Sequence, residues 1–250
     1  MQRYFLDDLY ENTDNIKLTG EDFHHAIHVM RMTPGSQCYV SFADEVTVVA
    51  ELQSVSDDTA FLTEVSKEEM KKELPCQVTI ACGYTKGDKL ELVAQKGTEL
   101  GMAELIGFPA QTSVVKWDGK KLAKKEQRLS KICKEAAEQS HRQQQPKVKL
   151  LDTFAKLLKL AVSYDKVLVA YEESAKTGEK SAFVEALTTC RPGQRVLVIF
   201  GPEGGIAPRE IEQLMQRNGT LCGLGPRILR AETAPLYVLA AMSYQWELLG

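Results

Sequence analysis

Short apolar runs that alternate with helical patterns fill most of the chain after residue 73. Runs rich in β-branched and apolar residues predict strands at 78–84, 104–108, 166–170, 196–200 and 220–224. Apolar positions at helical spacing predict helices at 88–100, 120–140, about 235–248, and from Pro208 onwards. Strands that alternate with helices are typical of a parallel sheet with helices on both faces. The pattern therefore predicts an α/β unit over residues 73–250.

The first 72 residues have a different pattern. A short helix and three runs rich in β-branched and aromatic residues are predicted at 22–31 and at 38–42, 46–52 and 60–65. Together they indicate a small β-rich unit. The charged segment 66–76, which contains Pro75, is the best candidate for a linker. We therefore expect two domains, residues 1–72 and residues 73–250.

Composition places the chain among ordinary globular proteins. Hydrophobic residues make up 44% and charged residues 26% of the sequence, which is enough apolar material for a packed core. No apolar run approaches the ~18 residues that a membrane helix needs. The first residues lack the apolar core of a signal peptide. We therefore expect a cytoplasmic protein that makes no membrane contact.

Charge is distributed unevenly along the chain. The net charge of −3, taken alone, argues against a nucleic-acid partner. Residues 1–72 hold 6 basic and 14 acidic residues, whereas residues 116–149 hold 11 basic and 4 acidic residues. The basic zone contains cations that fall largely on one side of the predicted helix: Lys120, Lys121, Lys124, Lys125, Arg128, Lys131 and Lys134. A solvated helix face is the simpler interpretation when this helix is considered alone.

The spacing of cysteine and histidine gives no sign of a disulfide framework or a metal site. None of the 6 cysteines forms a C-x-x-C pair, and several lie inside strand patterns, where a free thiol behaves as a small hydrophobe. His24 and His28 share one face of the predicted helix, but further zinc ligands are not nearby in the sequence. We therefore expect reduced cysteines, a packed or hydrogen-bonded histidine pair, and no bound metal.

Two glycine-rich loops follow the last two predicted strands. The first is Gly201-Pro202-Glu203-Gly204-Gly205, and the second runs from Gly225 to Glu232, just before Thr233, which we predict to cap the last helix. Open α/β sheets bind ligands at the carboxyl ends of their strands, and glycine lets a backbone approach a ligand closely. Tight turns alone would explain one such loop. Two neighbouring loops, one of which carries Arg-x-x-Arg-x-Glu, favour a single shared cleft.

The glycine pattern argues against two common enzyme classes. The first βα turn, Tyr84-Thr85-Lys86-Gly87-Asp88, lacks the G-x-G pattern that class I methyltransferases carry after their first strand. No glycine loop is followed by a Walker A lysine, which argues against an NTPase. The loops that could bind a ligand therefore lie late in the chain.

The two loops carry a long motif. Phe200-Gly201-Pro202-Glu203-Gly204-Gly205 and residues 224–234 (LGPRILRAETA) resemble the signature of the bacterial 16S rRNA (uracil-N3) methyltransferases, a family of the SPOUT superfamily. Weaker similarity extends to 96–101, 137–142 and the N-terminal residues Arg3 and 28–31. The resemblance implies a PUA-like RNA-binding β-barrel at 1–72 and an α/β SPOUT domain with a C-terminal trefoil knot at 73–250.

The same resemblance implies the cofactor, the partners and the reaction. The cofactor would be S-adenosyl-L-methionine, and the chain would form a homodimer. The substrate would be 16S rRNA of the 30S ribosomal subunit, methylated at N3 of a specific uridine, nucleotide 1498.

The resemblance also implies which residues form the site. Cofactor contacts, mainly through backbone groups, are expected from Ala170, Tyr171, Glu172, Phe200, Gly201, Pro202, Glu203, Gly204, Gly205, Leu224, Gly225, Arg227, Ile228 and Leu229. RNA contacts are expected from Arg3, Arg31, Lys86, Lys96 and Arg142. Lys96 could equally support its own helix.

Methyl transfer to uridine N3 requires a group that stabilises an anion and a group that accepts a proton. Uridine N3 is a weakly acidic imide, so an arginine near O2 or O4 would stabilise the developing charge. Arg230 is the first candidate for this role and Arg142 the second. Glu232 or Glu203 could accept the proton, directly or through water. Glu232 could instead complement the dipole at the start of the last helix.

Two other functions stay open on the sequence alone. A SPOUT enzyme could act on another rRNA base or on tRNA. The same fold could also serve a non-catalytic RNA-binding factor of ribosome assembly. Mapping the modified nucleotide would separate the first alternative, and measuring S-adenosylmethionine binding would separate the second.

Overall fold

The computed structural model describes residues 1–11, 15–171 and 181–249. The chain divides into two compact units. The N-terminal unit comprises Met1–Glu73 together with Ala137–Gln144, and the C-terminal unit comprises Leu74–Ala136 together with Gln145–Gly250. The sequence placed the boundary one residue earlier, and its pattern did not indicate that 137–144 group with the N-terminal unit.

The N-terminal unit is built on a five-stranded mixed sheet with the order β1-β3-β4-β5-β2. Its strands are β1 (Arg3–Phe5), β2 (Ile16–Thr19), β3 (Gln37–Ser41), β4 (Thr47–Ser56) and β5 (Thr59–Lys67). Among the strand pairs that the structure describes here, β1–β3 is parallel and the others are antiparallel. The three runs predicted from the sequence correspond to β3, β4 and β5. At three and four residues, β1 and β2 are too short to show a strand period.

The helix predicted at 22–31 begins earlier and changes type along its length. It consists of α1 (Gly20–His24) and a π-helical turn at His25–Val29. Phe23 and Ala26 of this segment join the core of the unit, together with strand residues such as Leu18 and Val40. His24 and His28 have ring centroids 5.2 Å apart, as expected for a packed pair.

The C-terminal unit is built on six strands that pair in parallel throughout, in the order β11-β9-β10-β6-β7-β8. The strands are β6 (Gln77–Gly83), β7 (Glu104–Phe108), β8 (Lys147–Leu150), β9 (Lys166–Ala170), β10 (Arg195–Phe200) and β11 (Gly219–Cys222). Their near-continuous apolar runs are the form that a sheet buried on both faces requires. The predicted parallel α/β unit is therefore confirmed.

Helices cover both faces of this sheet. They are α2 (Lys89–Glu99), α3 (Gly119–Gln139), α4 (Phe154–Ala161), α5 (Ser181–Thr189), α6 (Pro208–Met215) and α7 (Thr233–Ser243), with a π-helical turn at Tyr244–Leu248. Alternate residues of β10 enter two separate clusters. Val196 and Val198 join residues of α2, α3, α5 and α7, whereas Leu197 and Ile199 join residues of α4 and α6.

Among the described elements of the C-terminal unit, three were not predicted, and one helix cap differs. The strand β8 and the helices α4 and α5 are short, so the sequence signals them weakly. The last helix begins at Thr233, which leaves Glu232 at the N-cap position instead of Thr233. Glu232 makes no side-chain cap hydrogen bond there. Within the described ranges no helix is long and apolar enough to cross a membrane.

Candidate active site

The strand order brings the two glycine loops to one edge of the sheet. From β6 the chain moves outward to β7 and β8, and then returns to the other side of β6 for β9, β10 and β11. The final strand residues Ala170, Phe200 and Cys222 are in register across β9, β10 and β11. The loops after these parallel strands therefore open side by side, at a point where the strand order reverses. This is the place where open α/β sheets bind ligands.

A cavity of about 570 Å³ lies at this edge, within the C-terminal unit. Its volume falls in the range of roughly 300–1,000 Å³ that is typical of small-molecule sites. It is lined by Lys89, Ala170, Tyr171, Phe200, Gly201, Pro202, Glu203, Gly204, Gly205, Ile206, Cys222, Leu224, Gly225, Pro226, Arg227, Ile228, Leu229, Arg230, Ala231 and Ala234. Every described residue expected to contact the cofactor is among them. Glu172, also expected there, lies outside the described residues.

The loop after β10 is folded so tightly that glycine is required. A Cβ atom on Gly201 would lie 2.6 Å from the carbonyl carbon of Gly205 and 2.9 Å from the amide nitrogen of Ile206. Gly205 adopts a φ of +73°, which side chains rarely tolerate, and its N–H donates to the carbonyl of Pro202 at 2.9 Å. The glycines therefore make a tight turn, and that turn also exposes its main chain to the cavity.

Neighbouring segments hold this loop in place. A Cβ atom on Gly83, at the end of β6, would lie 2.4 Å from Cδ of Pro202, so the loop rests directly on the β6 backbone. On its other side, the hydroxyl of Thr112 donates to the carbonyl of Gly205. The loop is therefore held on both sides, by the β6 main chain at Gly83 and by the side chain of Thr112.

Lys89 contacts two acidic residues, of which Glu203 lines the cavity with it and Glu232 does not. Its ammonium group donates to Oε1 of Glu203 at 2.9 Å and lies 3.7 Å from Oε2 of Glu232. The backbone N–H of Lys86 donates to the same oxygen of Glu203 at 3.3 Å. Sequence reasoning missed Lys89. The available signal was topological: Lys89 begins the helix after β6, and β6 pairs with β10.

The carboxylates of Glu203 and Glu232 differ in the hydrogen bonds that they accept. Burial raises the pKa of Glu203, but hydrogen bonds from Lys89 and from backbone N–H groups outweigh it and lower the pKa overall. Glu203 is therefore ionised at neutral pH and is a weakened base. Oε2 of Glu232 is buried and makes no hydrogen bond with any residue that the structure describes. The ion-pair contact of Lys89 with Glu232, at 3.7 Å, is longer than its contact with Glu203 at 2.9 Å, so the carboxylate of Glu232 is held less tightly.

The second loop presents its charged and apolar side chains outward. Arg227 and Arg230 are exposed and line the cavity. Within the described part of the chain neither of them forms an ion pair. Ile228 is 76% exposed on the same loop, although isoleucine is usually buried. An exposed apolar side chain at the rim of a cavity suits the flat face of an aromatic ligand.

Two of the arginines expected to meet RNA are buried in the N-terminal unit. Arg3 is 1% exposed, and its guanidinium donates to Ser41 at 2.8 Å and to Glu68 at 2.7 Å. Arg142 is 3% exposed and pairs with Glu73, whose carboxylate also accepts backbone N–H groups after Arg142. Both guanidinium groups therefore bind partners within the N-terminal unit. Arg142 belongs to the N-terminal unit, whereas the residues that line the cavity belong to the C-terminal unit.

The remaining predicted RNA contacts lie at the surface. Arg31 is exposed and has a positive φ of 55°. Lys86 is exposed in the turn after β6. Lys96 forms an ion pair with Glu99 at 2.8 Å on α2, an arrangement that also supports the helix. The described residues contain no group of three or more side chains that could hold a metal ion.

The fold and the cavity define a class of protein, and two family profiles identify it. Residues 72–243 match the RNA methyltransferase domain, and residues 18–65 match the RNA methyltransferase PUA domain. The protein is thus an RNA methyltransferase that combines an α/β unit with an N-terminal PUA domain.

Comparisons with whole proteins narrow the class. The chain is 48% identical, over 100% of its length and 98% of the relative, to ribosomal RNA small subunit methyltransferase E of Bacillus subtilis. The chain therefore belongs to the ribosomal RNA small subunit methyltransferase E family. The crystal structure of this enzyme from Neisseria gonorrhoeae, bound to S-adenosyl methionine, matches with a TM-score of 0.83 and 25% identity over 98% of both chains. A Legionella pneumophila protein in complex with SAM matches with a TM-score of 0.81 and 27% identity over 96% of both chains.

Proposed function

We propose that this enzyme transfers a methyl group from S-adenosyl-L-methionine to N3 of one uridine, nucleotide 1498, in 16S rRNA of the small ribosomal subunit. The observation that carries the proposal is the single cavity in which both glycine loops and the end of β9 converge. The similarity to a small-subunit rRNA methyltransferase along the full chain supports the substrate class. We expect it to act in the cytoplasm, where ribosomal subunits are assembled.

The residues of the cavity fit S-adenosylmethionine. The loop at Gly201–Gly205 offers main-chain donors and acceptors at three glycines, which have no side chain to block a ligand. Ile228 and Leu229 supply an apolar rim suited to the adenine ring. When bound, the cofactor supplies an electrophilic methyl group on a sulfonium centre. The contribution of the protein is to hold the target uridine in line with that methyl group and to control its N3 proton.

Arg230 and Glu232 are our candidates for the catalytic groups. The exposed guanidinium of Arg230 would stabilise negative charge on O2 or O4 of the uracil ring. Glu232 would accept the N3 proton, directly or through water, because hydrogen bonds from Lys89 and from the backbone of Lys86 lower the pKa of Glu203 and make it the weaker base. The catalytic role of Arg142 stays a prediction. In the structure its guanidinium group is paired with Glu73.

RNA contacts are proposed for the surface residues Arg31, Lys86 and Lys96. All three are cationic and at least partly exposed, so they can reach phosphates or base edges. Arg3 also stays a prediction. Because it is enclosed by Ser41 and Glu68, any effect of Arg3 on RNA binding would act through the shape of the N-terminal unit.

We also propose a homodimer and a knotted C-terminal segment. The turn at the chain's end leaves Tyr244 and Leu248 exposed at 56% and 72%, and Tyr237 of α7 is 43% exposed. These apolar groups could form a subunit interface, whereas Leu239 is fully buried in the core. The knot is supported by the insertion of β10 between β6 and β9, with β11 beyond β9.

The function is tested by methylation of defined substrates. We expect purified protein with S-adenosylmethionine to add one methyl group to N3 of a single uridine when it is given 30S subunits from cells that lack this modification. The mass of the active protein, determined by sedimentation, should be twice 27.9 kDa, as a homodimer requires. Naked 16S rRNA and tRNA serve as parallel substrates. Methylation of a different base or of tRNA would refute the assignment, and failure to bind S-adenosylmethionine in titration calorimetry would favour an assembly factor.

A further inference from the structure

The helix α3 presents a row of lysines that the proposed catalytic site does not use. Its apolar side chains at Leu122, Leu129 and Cys133 are buried in the core of the C-terminal unit. On the opposite side, Lys120, Lys121 and Lys124 are exposed. The helix begins at Gly119, where the carboxylate of Asp118 accepts the N–H of Lys121 at 2.8 Å. These three lysines are called the α3 lysine face below.

Neighbouring acidic groups do not neutralise the α3 lysine face. Glu91 is paired with Arg128 at 2.7 Å, and Glu126 accepts the backbone N–H of Leu150 at 2.7 Å. Lys125 is turned toward the ring of Trp117, 4.9 Å from its centroid. Among the residues that the structure describes, none forms an ion pair with Lys120, Lys121 or Lys124. Their ammonium groups are therefore available to an external anion.

The composition of this surface favours a polyanion over a protein partner. Protein interfaces have cores rich in aromatic and apolar anchors. Between Gly119 and Gln139 no large hydrophobic side chain is exposed. Lysine is a mobile point charge without fixed geometry, which suits phosphates that must be held without reading sequence. From Lys120 to Lys124 the helix extends about 6 Å, a length over which a nucleic-acid strand presents about two phosphates.

We propose that the α3 lysine face binds phosphates of the rRNA substrate at a site separate from the methylated nucleotide. This inference rests on the proposed function for the identity of the RNA. The surface positions the rRNA electrostatically, and the cavity at the glycine loops performs the chemistry. The α3 lysine face therefore affects the affinity for RNA but not the affinity for the cofactor.

The test removes the charge and keeps the helix. The variant carries Lys120→Gln, Lys121→Gln and Lys124→Gln, because glutamine is as good a helix former as lysine. A matched control removes three exposed cations elsewhere in the C-terminal unit: Lys159→Gln, Arg191→Gln and Arg217→Gln. A third protein carries arginine at the three α3 positions and so retains the charge. Thermal unfolding and S-adenosylmethionine titration confirm that all of them are folded.

The measurement is the affinity for a 16S rRNA transcript as a function of KCl concentration. Each lost phosphate contact should reduce the slope of log K against log salt by about 0.7–0.9, so the α3 variant should lose about 2. At 0.1 M KCl its affinity should fall at least about tenfold. The control triple and the arginine variant should match the wild type. KM for RNA should rise in the α3 variant, with kcat and cofactor affinity retained.

Three outcomes would overturn the proposal. Equal slopes for the wild type and the α3 variant would show that these lysines do not meet phosphates. An equal loss in the control triple would show that only net charge matters. Unchanged transcript binding with lost binding to 30S particles would indicate an acidic protein partner. A wild type that binds RNA through this face but transfers no methyl group would refute the proposed function and leave the surface intact.

Discussion

Arg3 and Arg230 carry the same guanidinium group, yet folding gives them opposite surroundings. Arg230 is exposed at the cavity, whereas Arg3 is enclosed in the N-terminal unit and paired with Glu68. A charged side chain is tolerated inside a protein when it is paired and hydrogen-bonded. The partner of Arg3 is 65 residues away in sequence, so local pattern cannot reveal the burial. The sequence analysis gave Arg3 as an RNA contact and Arg230 as a catalytic candidate, and of the two only Arg230 is presented at the surface.

At the residue scale, we predict that Arg230→Ala and Glu232→Gln lower kcat with little change in cofactor affinity. Loss of one group that stabilises the developing anion costs on the order of 10²–10³ in kcat, and loss of a general base about 10²–10⁴. Single-turnover methylation of 30S subunits and titration with S-adenosylmethionine measure the two effects separately. Arg217→Ala and Glu212→Gln, both exposed on or beside α6, are the matched controls.

Wild-type turnover by Arg230→Ala would exclude the proposed role of this arginine. For Glu232→Gln, full activity would support the alternative in which the carboxylate only complements the dipole of α7. Its N-cap position is compatible with that alternative, so the kinetic measurement decides between the two roles.

The loop after β10 is the element on which cofactor binding depends. Its shape is set by the close approach of Gly201 to the main chain of Gly205, and its position by the packing of Pro202 on the main chain of Gly83. A loop held in this way is organised before the ligand arrives, and this reduces the entropic cost of binding. The same close packing means that one added methyl group would have to displace backbone atoms.

At the element scale, we predict that Gly201→Ala weakens S-adenosylmethionine binding by at least about tenfold, or about 1.4 kcal/mol. The new Cβ would meet the backbone of Gly205 at 2.6 Å, so the loop must open. Titration calorimetry measures the effect. Gly119→Ala is the control, since its Cβ would have nothing within 4 Å. Unaltered binding by Gly201→Ala would show that the loop does not shape the cofactor site.

At the scale of the whole molecule, the order of the strands decides where chemistry can occur. The strand β10 follows β6 and β9 in the sequence but lies between them in the sheet, and β11 lies beyond β9. This order gathers the ends of three parallel strands at one edge and creates the cavity. A local reading of the sequence would not suggest a knot, because true knots are essentially absent from most folds.

The proposed knot predicts a mechanical result. When the two termini of the unfolded chain are pulled apart, a tightened knot should keep the extension below that of an open chain, which is roughly 3.3–3.6 Å per residue. Force spectroscopy with attachment at both termini measures this length. Attachment at the N-terminus and at residue 191 is the control, because that span ends before the glycine loops and should reach its full extension. Full extension between the termini would rule out the knot.

The sequence by itself determined the parallel α/β unit and most of the cavity. Continuous apolar runs can be satisfied only by burial on both faces, and so they predict β6, β7, β9 and β10 within a residue or so of their ends. The motifs at 200–205 and 224–234 located most residues that line the cavity. A tight turn requires glycine at particular positions, and this requirement is visible within a few neighbouring residues. The short elements β1, β2, β8, α4 and α5 give too little periodic signal to be found in this way.

Only the tertiary structure decided which side chains meet. Lys89 reaches Glu203 because β6 and β10 are neighbours, although 114 residues separate the two side chains in sequence. The burial of Arg142 against Glu73 and the approach of Lys89 to Glu232 likewise depend on contacts between distant segments. Propensity and periodicity act over a few residues, whereas ion pairing and burial depend on position in space. For that reason the sequence could name candidates for the site, and only the fold could distinguish among them.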